Sequence, residues 1–461
     1  MFSKRSLILS LFVSFFIVIS GFSQTTPEEL HVIGVAPSAE HIQKDIQTLV
    51  DFGTRHTLSD TVSQTRGIGA ARRWIKDEFE RISENCGGCL EVFYVSDYVT
   101  ANRIPEPTNV VNVVAIQRGT SDPNRFVMMS GDIDSRVSDV LNATLDSPGA
   151  NDNASGMAGV FESARILTQY SFHGSIMYVG LSGEEQGLFG GTILAKYALE
   201  KGWKVKAVLN NDMIGNVKGI NGVINNTTAR VFSEGTRDVE TSREARIRRF
   251  TGGEVDSPSR NIARYVDLMA DKYIPNLDIM MIYRLDRFGR GGHHRPFNEV
   301  GIPAVRIMET NENYVMQHQD LREEDGIKYG DTIDGVDFEY AAKLTGLNAV
   351  TMAGMAWAPS PPNSVRIAGA VRPSTTLSWE ALDAEQNPQL AGYKIYWRLT
   401  DSNQWEKSVF VPADVLSHTL ENVVIDNYYF GVASVSKTGF ESPVVFPGAA
   451  GSFDLNVPKE E

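Results

Sequence analysis

Carboxylates recur in this chain where a sheet could gather them. In chain order stand Asp132-Ile133-Asp134, Asp152-Asn153-Ala154-Ser155-Gly156, Gly183-Glu184-Glu185-Gln186-Gly187 and Asn211-Asp212-Met213, followed later by His318. Each acid follows an apolar, strand-forming run and sits in a turn rich in glycine or asparagine. In an α/β sheet such turns lie beyond the carboxyl ends of the strands, where ligands bind. Asp132, Asp152, Glu185, Asp212 and His318 offer five oxygen and nitrogen donors, and Glu184 is a spare carboxylate. That set suits two divalent cations and a general base, the equipment of a metal-dependent hydrolase.

Neighbouring residues in a turn point in different directions, so Glu184 and Glu185 cannot both chelate one ion. One becomes a ligand, and the other takes a proton from water acidified by the metal. A solvated Glu-Glu pair is the bland alternative, but this many carboxylates crowded without cations would raise several pKa values strongly. Asp152 can present one oxygen to each of two ions while Asn153 or Ser155 caps the helix that follows. Of the eight histidines, His318 lies where a ligand is expected. The glycine-rich loop before His293-His294 could lay these imidazoles at the mouth of the crevice, which makes His294 a candidate substrate contact.

Apolar periodicity predicts helices over residues 38–52 (Ser38 as N-cap), 66–82, 154–170, 190–200, 259–273 and 336–356. Strand-like runs cover 90–95, 110–116, 126–130, 175–181 and 205–209. Their alternation predicts an α/β fold with a mostly parallel central sheet and helices on both faces. The Arg- and Glu-rich stretch 236–253 reads as a solvated loop. After the spacer Ala358-Pro359-Ser360-Pro361-Pro362, short alternating strands over 376–379, 392–398, 418–420 and 428–435 predict a small all-β sandwich. The expected division is a signal peptide at 1–23, a catalytic domain at 24–357, a linker at 358–363 and the sandwich at 364–461.

The secretory reading rests on Lys4-Arg5, an apolar run from Leu7 to Ile19, and small residues before Gln24. It predicts a secreted or periplasmic protein without stable membrane insertion after cleavage. Formal charge is −14, and loss of Lys4 and Arg5 leaves 41 − 57 = −16, so nucleic acid is excluded as a partner. Cys86-Gly87-Gly88-Cys89 holds both cysteines, and in an exported chain the pair predicts a local disulfide rather than a redox or zinc motif.

The four acidic stretches, extended to Ser182-Gly183-Glu184-Glu185-Gln186-Gly187-Leu188-Phe189-Gly190 and Leu209-Asn210-Asn211-Asp212-Met213-Ile214-Gly215, resemble the M28 family of zinc peptidases. His294-Arg295-Pro296-Phe297 and Gly301-Ile302-Pro303-Ala304 look like that family too, and the resemblance runs over residues 38–357. It implies a phosphorylase/hydrolase-like α/β fold, two zinc ions, peptide substrates and, for most members, aminopeptidase action. Asp152 would bridge the ions, Glu185 and His318 would complete one site and Asp212 the other, with Glu184 as general base. The chain departs from the family at Asp132, where a histidine is usual, so the second site is expected to be all-oxygen in character and to favour manganese or another harder ion over zinc. In that setting Arg136 is expected to relieve the charge of Asp134. Alternative readings are a single-metal acyltransferase resembling glutaminyl cyclases, and a catalytically impaired binding protein. Trp379, Tyr396, Leu420 and Tyr428-Tyr429-Phe430-Gly431-Val432 resemble a fibronectin type III module, with Tyr428 as its tyrosine corner and surface or polymer contact as a role open to it.

Overall fold

A computed structural model describes residues 27–454. The signal segment expected at 1–23 lies outside the described residues. The chain opens with helices α1 (Glu28–Val35), α2 (Ala39–Asp51) and α3 (Gly67–Asn85). The Ser38 hydroxyl accepts from the His41 backbone N–H, as expected of an N-cap. Strands β1 (Leu90–Ala101), β2 (Ile104–Gln117) and β3 (Asp122–Asp132) precede α4 (Gly156–Leu167), β4 (Gly174–Leu181), the short α5 (Glu184–Gly187), α6 (Phe189–Glu200) and β5 (Lys204–Asn211). Then come β6 (Thr228–Ser233), α7 (Ser242–Thr251), α8 (Pro258–Tyr273), β7 (Asp278–Ile282), α9 (His294–Glu299) and β8 (Ala304–Glu309). A hairpin, β9 (Arg322–Glu324) with β10 (Ile327–Tyr329), leads to α10 (Phe338–Trp357).

Strands β1 to β8 form one sheet in the order β1-β2-β4-β3-β5-β8-β6-β7. Its centre, β4-β3-β5-β8, is parallel, while β1 and β2 pair antiparallel at one edge and β6 runs antiparallel to β8. Side chains alternate between two cores with the period of two that a strand imposes. Val113, Val127, Met129 and Tyr178 join α2, α3, α4 and α10 on one face; Val114, Phe126, Met128 and Val179 join α6 and α9 on the other. Because α4 and α6 leave on opposite faces, the loops after β3, β4 and β5 splay apart and open a crevice.

The predicted elements are present, most with longer bounds. Strands β6, β7 and β8 were not anticipated. The stretch expected as a solvated loop holds α7, whose Thr241 and Glu244 form a capping box. Cys86 and Cys89 are joined by a disulfide at the end of α3. No helix among the described residues is long and apolar enough to cross a membrane.

Two three-stranded antiparallel sheets complete the chain: β11 (Arg366–Ala368), β12 (Thr375–Ser378) and β15 (Ser417–Leu420) in the order β11-β12-β15, and β13 (Leu390–Leu399), β14 (Lys407–Pro412) and β16 (Tyr428–Ser436) in the order β14-β13-β16. Their inner residues Leu377, Trp379, Tyr393, Ile395 and Phe430 are continuous with the α8/α10 core. The joint is polar as well. Asp256, fully buried, lies between Arg264 of α8 (3.0 Å) and Arg398 of β13 (2.8 Å).

Candidate metal centre and active site

Three backbone devices set the site. Gly149 adopts φ +52°, and a Cβ there would lie 2.4 Å from the Ser135 Cβ, so only glycine lets the chain fold back to present Asp152. The Asp331 carboxylate then accepts the Asn151 and Asp152 N–H groups at 2.9 and 2.7 Å. After β4, Gly183 at φ +75° starts α5, and the Asp134 carboxylate accepts the first two N–H groups of that turn, from Glu184 (3.2 Å) and Glu185 (3.1 Å). An anion suits a helix N-terminus. It fixes Glu184 and Glu185 on different bearings.

Asp152, Glu185 and His318 converge, with one donor atom from each lying within 4.8 Å of the others. His318 Nε2 is 2.9 Å from Asp152 Oδ2 and 3.0 Å from Glu185 Oε1. Ligands about 2.0–2.1 Å from a tetrahedral zinc lie roughly 3.3 Å apart, so these residues fit one zinc ion. Gln317 donates to Asp152 at 3.1 Å, and Arg136 lies 2.7 Å from both Glu185 Oε2 and His318 Nδ1. The two carboxylates hold the His318 pKa up at about 9 against the effect of burial. Asp152 is driven below the usual carboxylate range by His318, although burial opposes it.

Glu184 is partly open to a cleft of about 520 Å³ that Asp152, Glu185, Asp212 and His318 also line. Burial, then the neighbouring charges of Glu185, Asp212, Asp132 and Asp152, push its pKa well above that of an ordinary glutamate. Arg103, Arg136, Arg287, Arg290 and Arg295 face the same cleft, so the carboxylates are offset by guanidinium groups.

The other expected site residues are placed differently. Asp132 and Asp212 do not join the converging trio. Asp132 is buried, with Oδ1 2.5 Å from His293 Nδ1 and Oδ2 accepting from Asn153 Nδ2 at 2.7 Å. Burial raises its pKa to about 8 and lowers that of His293 to about 4. Asp212 Oδ2 meets Arg306 Nη2 at 2.6 Å. His294 was expected at the crevice mouth but is fully buried, its Nε2 2.8 Å from the Leu285 carbonyl and 3.5 Å from Asp286, so it cannot touch a substrate. Arg136 serves Glu185 and His318 rather than Asp134, whose charge meets the α5 N–H groups and the Thr57 hydroxyl at 3.1 Å. Sequence reasoning passed over Asp331, Gln317 and Arg306. Arg306 left a trace, since one arginine interrupts the apolar run Ala304-Val305-Arg306-Ile307-Met308.

With this geometry in view, the matches to known proteins decide the family. Residues 112–333 match peptidase family M28. A "Probable zinc metalloprotease" of Pyrenophora tritici-repentis is 39% identical over 92% of this chain and 88% of its own length. One of Leptosphaeria maculans is 41% identical over 91% and 97%. The chain belongs to peptidase family M28. Among solved structures, the Legionella pneumophila LapA aminopeptidase shares the fold, with a TM-score of 0.53 and 20% identity over 72% of this chain and 75% of that one. LapB of the same organism gives 0.51 and 18% over 70% and 74%. The M28 chain is thus a zinc metallopeptidase acting on peptides, and its trio of Asp152, Glu185 and His318 lies within the family match.

Proposed function

We propose that this M28 peptidase is an exported exopeptidase of the aminopeptidase type, with Glu184 as its general base. The observation that carries the reading is the convergence of Asp152, Glu185 and His318 beside Glu184, a partly exposed carboxylate that lines the same cleft and stands outside the trio. Asp152, Glu185 and His318 would hold the zinc ion, which would supply Lewis acidity for the peptide carbonyl and for water. Glu184 takes a proton from the attacking water and returns it to the leaving amine nitrogen, a shuttle suited to a carboxylate of raised pKa. Asp134 orients the shuttle through the α5 N–H groups, and Arg136 steadies Glu185 and His318.

Amino-terminal action is supported by the LapA aminopeptidase, which shares the fold. Export is supported by the basic-then-apolar start of the sequence and by the disulfide. The strand orders β11-β12-β15 and β14-β13-β16 support the fibronectin type III likeness of the sandwich.

The test is Glu184→Gln, assayed on aminoacyl anilides. Zinc content should remain while turnover falls by roughly 10²- to 10⁴-fold, the usual contribution of a general acid–base group. Near-normal turnover in a zinc-loaded variant would remove Glu184 from this role.

A further inference from the structure

The sequence led to the expectation of two ions, the second among Asp132, Asp152 and Asp212. We propose instead that the Arg306 guanidinium takes the place of the second cation, and that the chain binds one metal ion, at Asp152, Glu185 and His318. This rests on the metallopeptidase reading above and goes beyond it in the number of ions and in the residue that replaces one.

Arg306 extends from β8, which pairs in parallel with β5, and its backbone is in register with Asn210, two residues before Asp212. Its side chain is fully buried. Nη2 meets Asp212 Oδ2 at 2.6 Å, while Nη1 donates to the Gly291 carbonyl at 2.8 Å and to Asp286 at 3.1 Å. A guanidinium so tethered brings a fixed positive charge to the carboxylate that a second ion would need, and the same charge repels a divalent cation.

The remaining donors fall short as well. A zinc site takes at least three protein ligands. Asp132 lies between His293 and Asn153, one oxygen of Asp212 is on Arg306, and neither carboxylate joins a converging group as Asp152, Glu185 and His318 do. Asp132 replaces the imidazole usual for the family, and Arg306 holds the carboxylate expected to complete the same site. Both features remove the second ion, and each is visible without the other.

The experiment is metal stoichiometry of the mature, full-length protein after equilibration with excess zinc, read by plasma mass spectrometry and native mass spectrometry. One ion per chain is expected, and with manganese in place of zinc, the paramagnetic resonance spectrum of an isolated ion. Two ions per chain, or an exchange-coupled manganese pair, would overturn the inference and leave the peptidase reading standing. No bound ion would instead sink the peptidase reading. A second arm, Asp132→His combined with Arg306→Met, is expected to take up a second ion. A folded double variant that still holds one ion would show that Arg306 is not what excludes the other.

Discussion

Replacing Arg398 by methionine tests how far the C-terminal antiparallel sheets stabilise the α/β part of the chain. Arg398 is fully buried and pairs with Asp256 at 2.8 Å, while its guanidinium also lies 4.7 Å from the Tyr429 ring centre and 5.1 Å from that of Trp405. Removing one partner of a buried ion pair costs about 3–5 kcal/mol when the other charge is left alone. Here Arg264 still holds Asp256 at 3.0 Å, and methionine keeps the apolar stem packed, so about 3 kcal/mol is expected. An unfolding entropy near 2.1 cal/mol/K per residue, taken over roughly 430 described residues, gives about 0.9 kcal/mol/K and hence a fall in Tm of about 3 °C. The control is Arg366→Met, whose exposed pair with Glu380 spans 3.9 Å and should contribute nothing measurable. Calorimetry of the three proteins reads the shift. The turnover of each should match wild type, because none of these residues lines the cleft. A Tm within 1 °C of the control, on the scale of that entropy, would refute a structural role for the joint. By the same argument, deletion after Pro359 exposes the α8/α10 core and takes away one of the two arginines that hold Asp256, so the truncated chain should be markedly less stable even though its catalytic groups are all present.

Other expectations concern the site and the scaffold. Asp134→Ala should retain zinc yet lose turnover by about 10- to 100-fold, because the α5 N–H groups that orient Glu184 and Glu185 lose their acceptor; undiminished activity would deny the positioning role. His318→Ala should lose its zinc on dialysis against buffer that leaves the wild type loaded, since two carboxylates alone remain. Burial raises the pKa of Glu234 to about 8. Below the unfolded value near 4.5 it is protonated in both states. Between there and about 8 the unfolded chain releases a proton that the folded chain keeps, so stability falls as pH rises, by at most roughly 5 kcal/mol. Glu234→Gln should therefore raise Tm relative to wild type at pH 8.5 and hardly at pH 4.5, and an equal effect at both would contradict the shift. Cys86→Ser with Cys89→Ser opens a four-residue loop and should lower stability by about 2 kcal/mol by denaturant titration, with activity kept.

How much of this was legible in the sequence depended on whether a residue's partner is local. The turns carrying Asp152 and Glu184-Glu185 are set by glycines a few residues away, Gly149 and Gly183, so their placement could be read from spacing alone. The capping box of α7 was also written locally, as Thr241 and Glu244, but the charges around it outweighed the signal. Strands β6 to β8 are short and join the sheet through crossovers, so nothing near them in sequence announces which strand they adjoin. Arg306 shows the consequence. An arginine within an apolar run has to find a buried counter-charge. Only the register of β8 on β5 reveals that Asp212, beside Asp286, is a counter-charge it finds. Asp132 is the complementary case. The substitution was visible at once, and by residue type it remained a ligand. The fold sets against it His293 and Asn153, 161 and 21 residues away, each on one of its oxygens. A carboxylate binds whatever cation or donor the fold brings to it, so its type limits the chemistry, and the long-range pairing decides between a metal ion and a protein group.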